Sequence, residues 1–252
     1  MKDNDSKSNR INEWFVPRFG PLKFRAFIGM LFLPYTGMCI SFTIIGSMLS
    51  ESIAWDRALS IFIIYFLGLG VSAHAADNLG SKKIKPWGNF FSTLELRLMV
   101  IGGLSVSYLL GIYYIITVAP LLLIIAIIEG FFLFAYNFEL FKGFFHNNFW
   151  FAISWGSLPL LAGFVIQTNS ISILSLISSI IAFLVAYVEI KISRKYKELK
   201  RIPQDTVDCN TRKLERSLKI LSLTTISFAV LLTVCRYVIE QYNIFLNLTL
   251  IN

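Results

Sequence analysis

The chain has 252 residues, 56% of them hydrophobic and 15% charged, with a mean hydropathy of +0.66 and a formal net charge of +8. Several apolar runs approach or exceed the roughly 20 residues that cross a hydrocarbon core of about 30 Å, which excludes a soluble globular domain. The runs are continuously apolar rather than alternating, so helices are expected and a barrel is not. The basic residues sit between those runs, where topology and anionic lipid headgroups account for them without nucleic acid.

Residues 1–25 are polar and basic, with Trp14, Phe15 and Phe19 among Arg10, Arg18, Lys23 and Arg25, and read as an interfacial segment. The first span is expected over Ala26–Met48, with Pro34 and Gly37 inside it; a proline kinks a membrane helix and frees a carbonyl. The second, Trp55–Ala75, delivers His74 and Asp77 at its end, before Lys82, Lys83, Lys85 and Pro86-Trp87-Gly88. The third covers Leu96–Ile116, and the fourth, Val118–Tyr136, is interrupted by Glu129. A polar stretch, Asn137–Asn148, leads to the fifth span, Phe149–Ile166, with Gly156, Pro159 and Gly163. The sixth covers Ile171–Ile190. The strongly basic Lys191–Arg216 is expected to be a loop, the seventh span is Leu218–Val238, and the tail, 239–252, is too short to cross again. The expected fold is an all-α, polytopic transmembrane helical bundle of about seven spans over residues 26–238.

Lysine and arginine counts orient the bundle. The N-terminal segment and the 2–3, 4–5 and 6–7 connections carry most of the positive charge, and seven spans place all four on one face, which is then cytoplasmic. The polar clusters 73–88, 137–148 and 189–200 therefore share one end of the bundle of a multi-pass cell-membrane protein.

His74 and Asp77 stand three residues apart and share a helix face, where both would ligate a divalent metal or simply cap the helix end. Glu129 lies deep in an apolar span, where a carboxylate costs a few kcal/mol unless it is paired; it reads as a cavity residue or as an acid hydrogen-bonded between helices. Glu139 and His146 would join His74 and Asp77 in a set of two carboxylates and two imidazoles that suits a transition metal. The lysines read as phosphate ligands or as topology markers, and the second reading suffices for Arg194, Lys195, Lys197, Lys200 and Arg201. Cys39, Cys209 and Cys235 are scattered and form no CxxC pair.

Taken together, several motifs resemble the UbiA superfamily of intramembrane prenyltransferases. They are Pro17-Arg18 with Pro34 and Gly37, the basic-Pro-x-Gly element Lys85-Pro86-Trp87-Gly88, the run from Tyr136 to Lys142, the G-x-x-P-x-x-x-G span of Gly156, Pro159 and Gly163, and the charged end of the sixth span. The resemblance covers about residues 17–235. It implies transfer of an isoprenoid group from a diphosphate donor to a lipophilic acceptor, with Mg²⁺ held on the diphosphate by two Asp-rich motifs. The sequence departs from both motifs. Asp77 is the sole aspartate of the first, with Ala73 and Ser81 where partners are expected. Glu189 opens the second, with Ser193 four residues on. Carried over, Asp77 and Glu189 would hold the metal. Lys82, Lys83, Lys85, Asn137, Lys142 and Arg194 would bind the substrate, and Glu129 or Tyr136 would face the acceptor. The alternatives are a metal-dependent membrane enzyme using His74, Asp77, Glu139 and His146, and a non-catalytic lipid-binding or assembly protein. The implied partners are membrane lipids and no nucleic acid; the sequence leaves the oligomeric state open.

Overall fold

The computed structural model describes residues 10–80, 87, 89–200 and 208–251, and among these all regular structure is helical. In chain order the helices are α1 (Leu22–Met30), α2 (Leu33–Met48), α3 (Trp55–Tyr65), a first π-helical segment (Phe66–Ala73), α4 (His74–Gly80), α5 (Thr93–Thr117), α6 (Leu122–Asn137) and α7 (Asn148–Ala152). A second π segment (Ile153–Ser157), α8 (Leu158–Thr168), α9 (Ile173–Leu199) and α10 (Asp208–Ile251) complete the chain.

Among the described residues six stretches are long and apolar enough to cross a membrane: Leu22–Met48, Trp55–Gly80, Thr93–Thr117, Asn148–Thr168, Ile173–Leu199 and Cys209–Asn243. The expected fourth span is a shorter apolar helix, α6, of 16 residues. At 1.5 Å per residue it rises about 24 Å, less than a hydrocarbon core of about 30 Å. Its predicted start is consumed by a tight turn, in which Ala119 N–H bonds back to Tyr114 O and Leu122 N–H to Ala119 O.

The stretch Lys191–Arg216 is not one loop. Helix α9 continues to Leu199 and α10 begins at Asp208, with the residues between lying mostly outside the described set. Helix α10 also runs on through the predicted tail to Ile251. Lys, Arg and Glu are good helix formers, so leaving the apolar layer does not end a helix.

The bundle is built on α2 and α8. The most apolar window of the α1–α2 rod is 72% buried and that of the α7–α8 rod 67%, against 17% for α10. The two inner helices meet backbone to backbone: a Cβ on Gly163 would lie 1.9 Å from Thr43 O, and one on Gly46 2.0 Å from Leu160 O. The Ser47 hydroxyl fixes the register by donating to Gly163 O at 3.0 Å. Close approach of this kind is the main source of attraction between helices in lipid, where apolar burial between them contributes little. The outer helices expose Leu98, Ile101, Leu109 and Ile116 on α5 and Ile173, Ile177 and Ile181 on α9, surfaces suited to lipid.

Candidate functional site at the α4–α9 end

The site begins with a break in the first membrane-spanning rod. Pro34 at the start of α2 clashes with a helix continuing from α1, and the chain reverses locally at Phe32, whose φ is 44°. The Leu31 carbonyl freed by the break accepts from the Thr36 hydroxyl at 2.6 Å. That hydroxyl has one proton, so its 3.3 Å contact with His74 Nε2 is one in which the imidazole N–H donates. The break also turns the Phe32 ring towards His74, at 5.1 Å, and Trp87, at 5.4 Å.

The π segments adjust the other walls. A π turn holds more residues than an α turn, so it rotates everything after it about the helix axis. His74 opens α4 directly after the first π segment, and Trp155, inside the second, packs on the imidazole at 5.2 Å. His74 is thus held against two rings with one nitrogen bonded to Thr36.

Helix α9 brings the charge. Glu189 is buried at 4% exposure and takes no hydrogen bond among the described residues. Two turns on, the Lys197 ammonium lies 5.1 Å from the Phe32 ring centroid. Asp77, Glu189, Glu13, Arg10 and His74 are all within its electrostatic reach. Arg10, from the N-terminal segment, approaches the same Phe32 ring at 5.8 Å and Trp87 at 5.9 Å. Asp77 has Lys197, Arg10, His146 and Glu139 as charged neighbours. Arg194 donates to the Tyr136 hydroxyl at 3.2 Å, which ties α9 to α6.

The structure therefore brings His74, Asp77, Tyr136, Glu189 and Arg194 to one end, together with Lys197 and Arg10, which the sequence reads as topology and interfacial residues, and Phe32, to which it assigns no role. The other expected residues are placed differently. The Asn137 amide is turned back onto its own helix, donating to Leu133 O at 2.8 Å. Glu139 and Lys142 are exposed on a turn with left-handed backbone. The His146 ring stacks on Tyr136 at 4.4 Å and donates from Nδ1 to Tyr136 O at 3.1 Å, so it buttresses that tyrosine. Lys82, Lys83 and Lys85 lie outside the described residues.

Glu129 is elsewhere, in an apolar cleft of about 80 Å³ among α3, α5, α6 and the first π segment, with Leu69, Ser107, Leu133 and Ala162 among its walls. Its Oε1 accepts from Tyr65 Oη at 3.2 Å and its Oε2 from Ser154 Oγ at 2.9 Å. Tyr136 stands seven residues further along α6, on the same face and about 10 Å away along the axis.

Mg²⁺ demands a near-octahedral shell of oxygens, and among the described residues no three His, Cys, Asp or Glu side chains gather closely enough to share an ion. The set of His74, Asp77, Glu139 and His146 is not brought together because His74 is bonded to Thr36, His146 is bonded to Tyr136 O, and Glu139 is carried out on the exposed turn. Asp77 and Glu189 instead share Lys197 as a charged neighbour. No protein-family model, no curated protein and no solved structure matches the chain.

Proposed function

We propose that the chain is a multi-pass membrane transferase that receives an isoprenoid diphosphate at the α4–α9 end and passes its isoprenoid group to a lipophilic acceptor. The observation that carries this reading is the convergence of Asp77 on α4 with Glu189, Arg194 and Lys197 on α9, beside a wall formed by Phe32, Trp87 and Trp155. Cations suit a diphosphate, and aromatic faces suit both an unsaturated chain and developing allylic charge. In the reaction the allylic carbon–oxygen bond breaks and the diphosphate leaves with the electron pair. A nucleophilic atom of the acceptor bonds to that carbon, and its proton passes to the departing diphosphate, the base at the reacting centre. The excess of positive charge at this end supports a cytoplasmic orientation for it.

The test is transfer of label from tritiated geranylgeranyl diphosphate into organic-extractable product by membranes containing the protein. Transfer that is lost in Asp77→Asn supports the reading. Membranes that neither transfer label nor retain the donor overturn it.

A further inference from the structure

We infer that the donor's diphosphate is held directly by Arg10, Arg194 and Lys197 rather than through carboxylate-bound divalent ions. The inference rests on the reading above and fixes how that site takes its anion. The local charge favours it. Arg10, Arg194 and Lys197 gather at this end beside Asp77 and Glu189, while Glu13 is engaged by Tyr196 at 2.9 Å and Lys200 at 2.9 Å.

Geometry points the same way. Lys197 and Arg10 both approach Phe32, at 5.1 and 5.8 Å, and lie within electrostatic reach of each other. An aromatic face offsets such crowding only in part, whereas an anion bridging the two removes the repulsion. Lys197 makes no direct ion pair among the described residues. Arg194 has one of its five donors on Tyr136.

Two further donors border the wall. Trp87 Nε1 and Asn78 Nδ2 are buried without a hydrogen-bond partner, on residues 2% and 0% exposed. They are joined through Trp87 N–H, which donates to Asn78 Oδ1 at 3.1 Å. A buried donor left unpaired destabilises the fold, and diphosphate oxygens are acceptors that would satisfy it. The two acids then have a different task from metal ligation: they set the position of Lys197.

The experiment measures binding of geranylgeranyl S-thiolodiphosphate to the full-length protein in lipid nanodiscs, once in EDTA and once in excess Mg²⁺. Affinities that agree within about threefold in the two buffers, and that fall about tenfold in both for Lys197→Met and Arg194→Met, support direct capture, since tenfold is the loss of about one charge-assisted hydrogen bond. Lys197→Arg, which keeps the charge, is expected to recover most of the affinity and to show that the site still folds. Binding that appears only with Mg²⁺ overturns the inference and leaves the transferase reading standing. Absence of binding in both buffers overturns the transferase reading itself.

Discussion

The Ser154 hydroxyl, carried on the π segment before α8, donates a 2.9 Å hydrogen bond to Glu129 in the middle of α6. Tyr65 donates to the other carboxylate oxygen, so an acid in an apolar cleft is satisfied at both ends by hydroxyls. Removing either hydroxyl leaves a carboxylate oxygen without its partner, at a cost of about 1–3 kcal/mol. Ser154→Ala and Tyr65→Phe should each lower the thermal midpoint in detergent. Glu129→Gln keeps the shape, and the hydroxyls rotate to meet the amide, so its midpoint should stay close to that of the parent. Because Glu129 stands apart from the α4–α9 end, the same variant should still transfer label. A Gln variant that melts normally but no longer transfers would show that the cleft belongs to the site.

Neighbouring glycines on α5 offer an internal control. A Cβ on Gly103 would stand 2.2 Å from Ser72 Oγ and 2.8 Å from Leu67 O, both in the first π segment, whereas a Cβ on Gly102 meets nothing within 4 Å. Gly103→Ala should force the π segment away from α5, lower the melting temperature and disturb His74 beyond it. Gly102→Ala should be neutral or stabilising by up to about 1 kcal/mol, the helix-propensity difference. Equal melting temperatures for the two variants would show that α5 and the π segment do not meet as described.

The helical architecture was legible because apolar run length reports the solvent around a helix: six of the expected spans fall on helices long enough to cross a membrane and the fourth on the shorter α6. The same signal misplaced the ends of α9 and α10, since it marks where lipid stops and not where hydrogen bonding stops. Pro34 announced a break, but nothing in the pattern says that Phe32 would take the left-handed conformation and become the ring on which Lys197 and Arg10 rest. Lys197 was hidden among basic residues that topology already explains. The π segments were invisible, because their extra residue shifts a helix face without changing composition. His146 stood out as one of only two histidines, yet its ring serves Tyr136. Rarity of a residue type was a weaker guide than the backbone that carries it.

Pro34 should separate stability from binding. Pro34→Ala removes the clash with the preceding turn and permits α1 and α2 to join as one helix, relieving the left-handed strain at Phe32. The thermal midpoint should hold or rise, while geranylgeranyl S-thiolodiphosphate binding weakens because the Phe32 ring leaves His74 and Lys197. Phe32→Leu keeps the break but removes the aromatic face, and should weaken binding without the gain in stability. Unchanged affinity in Pro34→Ala would mean that the packing around Phe32, rather than the proline, sets the break.

The N-terminal segment is strapped across the same end by a few polar contacts. Glu13 accepts from Tyr196 and Lys200, Arg25 donates to Pro17 O at 2.7 Å and Ile11 O at 3.1 Å, and the Phe15 ring lies 5.3 Å from Phe32. The Lys200–Glu13 pair is partly exposed, with Lys200 at 37% and Glu13 at 11%, so salt weakens it. Glu13→Gln should therefore speed tryptic cleavage after Arg10 and raise hydrogen exchange over residues 10–16. High salt should have a similar, smaller effect on the parent. Parental cleavage rates in the variant would assign the hold to Phe15 and Trp14 instead.

Cysteine positions test the orientation. Cys209 is exposed in the first turn of α10, at the basic end of the bundle, whereas Cys39 is buried and Cys235 lies far along α10 within its membrane-spanning stretch. A membrane-impermeant maleimide should thus reach Cys209 alone. With the basic end cytoplasmic, intact cells should show no labelling and inside-out vesicles should be labelled at Cys209, with Cys209→Ser abolishing the signal. Labelling of Cys209 in intact cells would invert the bundle, putting Asp77, Glu189 and Lys197 on the outer face. The donor would then have to reach them from outside the cell, where a cytoplasmic isoprenoid diphosphate is not presented. That outcome would count against the transferase reading as well as the topology.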